Sequence, residues 1–73
     1  MAERHYRDAI RVADEVGLRP MVARSRLGLG RLHARAGRKR EAGEHLATAA
    51  TMFREMRMTY WLEQAENEIG ELR

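Results

Sequence analysis

The sequence predicts an all-α protein in which four helices form antiparallel hairpins that stack as an α-solenoid. Apolar residues recur at helical spacing along nearly the whole chain, and no segment alternates apolar and polar residues as a strand would. Several residues also recur after forty positions, a period typical of helical arrays. The recurring pairs are Ala2 and Ala42, His5 and His45, Ala9 and Ala49, Glu15 and Glu55, Gly30 and Gly70, and Leu32 and Leu72.

Length and composition predict one small domain, spanning residues 1–73. A single core of this size rarely supplies more than roughly 3–5 kcal/mol, so the remaining stability must come from close helix packing or from association. The chain has no Cys, which excludes disulfides and thiolate metal sites. Its longest weakly polar run, 46–53, is far shorter than the roughly 20 residues of a membrane span, and the N-terminus lacks a signal-peptide core. We therefore expect a cytoplasmic protein with no membrane partner.

The first two helices are predicted over residues 2–16 and 20–36. The first carries an apolar stripe at the i, i+3, i+4 spacing of one helix face. Gly17 supplies the left-handed conformation that commonly closes a helix, and Gly37 does the same for the second helix. Pro20 suits a first helical turn, where its missing N–H has no partner to lose.

Two glycines interrupt the second helix. Gly28 and Gly30 each cost about 0.8–1 kcal/mol relative to Ala in a helix interior. A helix that accepts this cost usually does so because another element needs the space. The pair therefore predicts a close approach by a neighbouring helix.

The third and fourth helices are predicted over residues 38–56 and 59–72. Apolar residues again share one face of each, and Thr59 is expected to cap the fourth helix. Met21, Met52, Met56 and Met58 are expected to fill gaps between layers. Because the connections span only two to four residues, successive helices should lie antiparallel.

The segment from residue 29 to residue 49 resembles a tetratricopeptide repeat. The matching positions are Leu29, Gly30, Gly37, Glu41, Ala42, Leu46 and Ala49. The sequence departs from the family at His33, where an aromatic residue is usual, and at Arg26, where the early Trp would fall. The resemblance implies one full repeat, about 20–56, flanked by two half repeats. The long period is similar to that of arrays in large bacterial regulators, and a fragment of such a protein is expected.

The resemblance also implies a function, namely a non-catalytic scaffold that binds a protein or peptide in a concave groove. The first helix of each unit lines that groove in the family. The corresponding residues here are Arg24, Leu27, Arg31, Arg35, Gln64, Asn67 and Glu71. The three Arg share one helix face and would suit an acidic peptide. The alternative interpretation is that they only keep that face solvated.

Charge and apolar patterning together predict a homo-oligomer. Residues 1–40 hold eleven Arg and Lys against four Asp and Glu, whereas residues 41–73 hold three against seven. The basic and acidic halves could attract each other between molecules. Apolar side chains of the first and fourth helices would be exposed if neighbouring units are absent. The residues expected to associate are Tyr6, Ile10, Trp61, Leu62 and Ile69.

No catalytic, metal-binding or cofactor-binding residue is predicted. His5, His33 and His45 lack the spacing of a zinc site. The stretch 28–30 lacks both the third Gly and the preceding strand of a dinucleotide-binding loop. The acidic residues of the fourth helix wind around it instead of forming the facing pair that acid–base catalysis needs.

The competing function is a nucleic-acid-binding basic helical domain. Arg38, Lys39 and Arg40 form the densest basic cluster of the chain. Three such charges would make only a weak, salt-sensitive contact with phosphates. The aromatic residues do not interleave with basic residues as they do in single-strand binders. Nucleic acid is therefore the less favoured partner.

Overall fold

Four helices connected by short turns make up the computed structural model of this chain, which describes residues 2–72. They are α1 (Ala2–Val16), α2 (Arg19–Arg35), α3 (Lys39–Glu55) and α4 (Thr59–Glu71). Within residues 2–72 there is no strand, which confirms the all-α class and the number of helices. Each helix end lies within one residue of its predicted position. Over the same residues, no helix combines the length and apolar character that crossing a bilayer requires.

The three turns between helices share one geometry and lie twenty residues apart. Gly17, Gly37 and Arg57 have φ angles of 74°, 78° and 57°. Each donates its N–H to the carbonyl three residues earlier, and the next residue donates to the carbonyl five residues earlier at 2.8 to 2.9 Å. This is the Schellman pattern, which satisfies carbonyls at a helix C-terminus. The two glycines therefore close helices as predicted, whereas the third turn holds a residue with a side chain.

The starts of the helices lack side-chain caps. Leu18, Arg38 and Met58 occupy the N-cap positions of α2, α3 and α4, and none of their side chains bonds a backbone N–H. The prediction that Thr59 caps α4 is wrong, because the preceding Schellman turn places Thr59 inside the helix. The turn geometry, rather than a capping side chain, sets where each helix begins.

Helix α2 packs closely against α3 and against α1 at its two glycines, Gly30 and Gly28. A Cβ placed on Gly30 would lie 2.5 Å from Leu46 Cγ and 3.4 Å from the Ala42 carbonyl oxygen. A Cβ on Gly28 would overlap the ring of Tyr6. The distances to Leu46 and to the Tyr6 ring are shorter than real carbon contacts, so the predicted close approach is present at both positions.

The core lies between α2, α3 and α4, and much of it consists of alanine. Its largest fully buried side chains are Phe53, Leu27 and Leu46. Small residues surround them, which brings helix axes close together. These are Ala23, Ala49, Ala50 and Ala65. Met52, Met56 and Met58 pack against this cluster, as expected for gap-filling methionines. The same prediction is wrong for Met21, which is 48% exposed on the surface of α2.

The structure covers much of the apolar surface that the sequence predicted to be exposed. Tyr6 and Ile10 are half-buried on α1. Trp61, Leu62 and Ile69 are half-buried against the core because α4 turns its apolar face toward α3. The exposed large apolar side chains lie at other positions. They are Val12, Val16, Leu18, Met21 and Tyr60.

Replacement of Arg57 by Gly should stabilise the protein. The left-handed conformation costs an L-residue roughly 1–2 kcal/mol and costs Gly little, so the free energy of unfolding should rise by about 1 kcal/mol. Urea unfolding followed by circular dichroism measures this change. Arg57→Ala removes the same side chain but keeps Cβ, and it should give no such gain. Equal stabilities of the Gly and Ala variants would refute the strain argument.

Candidate functional site

A cleft of about 660 Å³ opens between α1, the N-terminal half of α2, and α4. We call it the Trp61 cleft. Aromatic rings border it on two sides, and aliphatic side chains and two guanidinium groups complete the lining. The principal lining residues are Tyr6, Leu18, Met21, Arg24, Leu27, Arg31 and Trp61. This combination suits a ligand that presents both apolar groups and negative charge.

Arg24 occupies the cleft in a cation–π contact. Its guanidinium carbon lies 4.6 Å from the centre of the Trp61 ring. Such a contact uses the face of the guanidinium and leaves N–H groups at its edge able to donate to a carboxylate. Arg24 is exposed, and within residues 2–72 it forms no ion pair. It is therefore the cation of the cleft best placed to meet an acidic group.

Arg31 has a partner within the chain. Its Nε donates to Glu68 Oε1 at 3.1 Å, and both side chains are partly buried. This ion pair links α2 to α4 and lowers the net positive charge of the cleft. Leu27, which the sequence assigned to the groove, is only 1% exposed and forms the floor of the cleft as part of the core.

The remaining predicted groove residues do not converge on the Trp61 cleft. Arg35 and Glu71 border a second, more polar cleft of about 490 Å³, together with Arg31. Gln64 is half-buried and Asn67 is exposed, and neither lines either cleft. The predicted groove is thus divided in two at the ion pair of Arg31.

A polar cluster lies between α2 and α3, outside both clefts. The rings of His33 and His45 stack at 5.3 Å between centres, with 8° between their planes. Arg26 Nη1 donates to His45 Nδ1 at 3.2 Å, which requires that nitrogen to be unprotonated. His33 is buried, and its Nε2 lies 3.3 Å from Glu3 Oε1 without hydrogen-bond geometry. The ring of His33 thus packs against that of His45 inside the protein.

Within residues 2–72, no group of three or more His, Asp or Glu side chains is arranged to hold an ion. His5 is exposed on α1, apart from the stacked pair. Comparisons of the chain with protein families, with curated proteins and with solved structures find no match.

Sequence reasoning missed two parts of the Trp61 cleft. Met21 lies three residues before Arg24 and seven before Gly28, so helical spacing alone places it on the face of α2 that lines the cleft. Tyr6 and Trp61 were assigned instead to self-association. Their convergence depends on how α1 and α4 cross α2, which no local pattern encodes, although the small residue at position 28 indicated that something would lie against it.

Acid should destabilise the fold through His45. Burial lowers the pKa of its imidazole, electrostatic interactions with Arg26, His33 and Arg7 lower it further, and Glu44 opposes them. The unfolded chain therefore takes up more protons than the folded chain as the pH falls below about 6.5. The contribution to stability is complete above that pH and is lost as the pH falls toward the lower, folded pKa.

Urea unfolding at about pH 7.5 and about pH 5.5 tests this effect, and stability should be lower at the acidic pH. His45→Gln should reduce the difference, because it removes the half-buried imidazole whose pKa is lowered. His5→Gln alters the exposed equivalent on α1 and should leave the difference intact. If His45→Gln retains the full pH dependence of the parent chain, the assignment to His45 is wrong.

Proposed function

We propose that this chain is a non-catalytic protein-interaction module of the tetratricopeptide type, whose helices stack as a short solenoid. Three turns with the same hydrogen-bond pattern, spaced twenty residues apart, support this proposal. So does the packing order, in which each helix contacts the next and α2 also contacts α4. The smallest dimension of the backbone, 15 Å, fits two layers of helices. Three of the residues that resemble the family, Gly30, Ala42 and Leu46, lie at the close contact between α2 and α3.

The partner we propose is a peptide segment that carries acidic and apolar side chains and binds in the Trp61 cleft. The observation that carries this proposal is the position of Arg24 over Trp61 beside exposed Met21. An apolar side chain of the ligand would pack on Met21 and the Trp61 ring. A carboxylate would accept from the free edge of Arg24, where a charge-assisted hydrogen bond is stronger than a neutral one.

Association with other helical units is the second part of the proposed function. The exposed Val12 and Val16 on α1 support it, since exposed aliphatic residues on one helix face commonly mark a contact surface. A homo-oligomer built through Tyr6 or Trp61 has less support, because both rings are half-buried within the chain.

Titration with a labelled peptide rich in Glu and Leu tests the cleft. Because Trp61 is the only Trp, its fluorescence reports directly on binding there. Arg24→Gln should weaken binding about tenfold, the effect of losing roughly 1.4 kcal/mol of interaction with the carboxylate. Arg40→Gln removes the same charge from an exposed site outside the cleft and serves as the matched control.

A counterpart peptide with Lys in place of each Glu should bind more weakly than the acidic peptide. Equal binding of the two peptides, or equal effects of the Arg24 and Arg40 variants, would contradict the cleft proposal. Binding of duplex DNA at physiological salt, lost when Arg38, Lys39 and Arg40 are changed to Ala, would instead favour the nucleic-acid function.

A further inference from the structure

Helices α1 and α3 share four identical residues forty positions apart, but only α3 has the corresponding face covered. Ala42 and Ala49 are fully buried, and Met52 and Met56 pack against the core. The equivalent residues of α1 are more exposed to solvent. Ala2 is exposed, Ala9 is half-buried, and Val12 and Val16 are 48% and 62% exposed. On α3, helix α2 covers this face.

Polar contacts differ between α3 and α1 in the same way. On α3, Glu55 accepts from Arg19 of α2 at 2.8 Å, and His45 accepts from Arg26 at 3.2 Å. The equivalent residues of α1 are Glu15 and His5, and both are exposed. Within residues 2–72, Glu15 has only an ion pair at 3.4 Å with Arg11 of its own helix. A helix that docked on α1 as α2 docks on α3 would bring a cation to Glu15.

The face of α4 that corresponds to α2 is unsuited to cover α1 in a second molecule. Where α2 presents buried Ala23 and Leu27, α4 presents exposed Glu63 and Asn67. Burial of that carboxylate against Ala9 and Val12 would leave a charge without water or a partner. Thr59, which stands where Arg19 does in α2, would bring no cation to Glu15.

We propose that the outer face of α1, formed by Ala2, His5, Ala9, Val12 and Val16, docks a helix that carries the α2 face. That helix runs antiparallel to α1 and belongs to a neighbouring helical-repeat unit. It presents a small residue near Ala2, aliphatic residues on Ala9 and Val12, and a cation at its N-terminus to Glu15. The proposal rests on the assembly part of the proposed function and is independent of the Trp61 cleft.

The probe is the chain's own α2 sequence. Residues 19–41 are joined directly to Ala2, so that the added helix and its Gly37 turn precede α1 as α2 precedes α3. The extended chain should have a Tm about 5 °C or more above that of the parent chain, since covering an open repeat face adds a nearest-neighbour interface. Amide exchange should slow at least tenfold in α1, which is the helix that gains the cover.

Two matched controls separate docking from the mere addition of residues. In the first, the added helix carries the α4 face through Ala23→Glu and Leu27→Asn in the added copy only, and the gain in Tm should vanish. In the second, Val12→Glu should remove the gain in the extended chain but change the Tm of the parent chain little, because Val12 is exposed there.

An extended chain with the Tm and exchange rates of the first control would overturn the proposal. Light scattering on the parent chain tests the other occupant, a second copy. A dimer that Val12→Glu dissociates would show that α1 pairs with another molecule of the same chain, and would equally overturn the proposed occupant. Peptide titration of the Trp61 cleft is unaffected by these outcomes, so failure here leaves that proposal to be judged on its own test.

Discussion

The close approach of α2 and α3 at Gly30 is the contact on which the rest of the structure depends. Leu46 occupies the space that a Cβ on Gly30 would need, and the Ala42 carbonyl lies at the limit of contact beside it. This packing brings Leu27 and Phe53 into one cluster, against which α4 closes. On the other side of α2, Gly28 admits the ring of Tyr6 and so sets the position of α1. The absence of a Cβ at Gly28 and Gly30 thus determines how α1 and α3 pack against α2.

The repeated geometry produces three different environments for similar residues. The face of α3 that packs against α2 is buried, and the equivalent face of α1 is exposed. The face of α4 that is equivalent to the packed face of α2 carries acidic residues.

The charge asymmetry that suggested attraction between molecules is partly satisfied by ion pairs within the chain. Arg31 pairs with Glu68, and Arg19 lies 2.8 Å from Glu55. The pair of Arg19 is exposed and contributes little to stability, whereas the partly buried pair of Arg31 also shapes the clefts.

The sequence was most informative where local rules decide the outcome. Helical spacing and the glycines at positions 17 and 37 predicted four helices and their ends, and Gly28 and Gly30 predicted close packing. The candidate site was predicted less well, because a cleft depends on crossing angles between helices. Helical spacing placed Arg24 and Arg31 on one face of α2, and both line the Trp61 cleft. The partner of Arg31 and the convergence of Tyr6 and Trp61 could not be derived from local spacing. The left-handed conformation of the third turn was also not predicted, because Arg is not a residue type that favours it.

The most direct test of this account compares Gly30→Ala with its repeat equivalent, Gly70→Ala. Both changes add one methyl group inside a helix, but a Cβ at Gly70 meets nothing within 4 Å. Gly30→Ala should lower the free energy of unfolding by about 1–3 kcal/mol through overpacking against Leu46. Gly70→Ala should raise it by roughly 0.5–1 kcal/mol, the usual gain from Gly to Ala in a helix. Opposite signs would support the close contact of α2 and α3 as the basis of the fold, whereas a shared gain would contradict it.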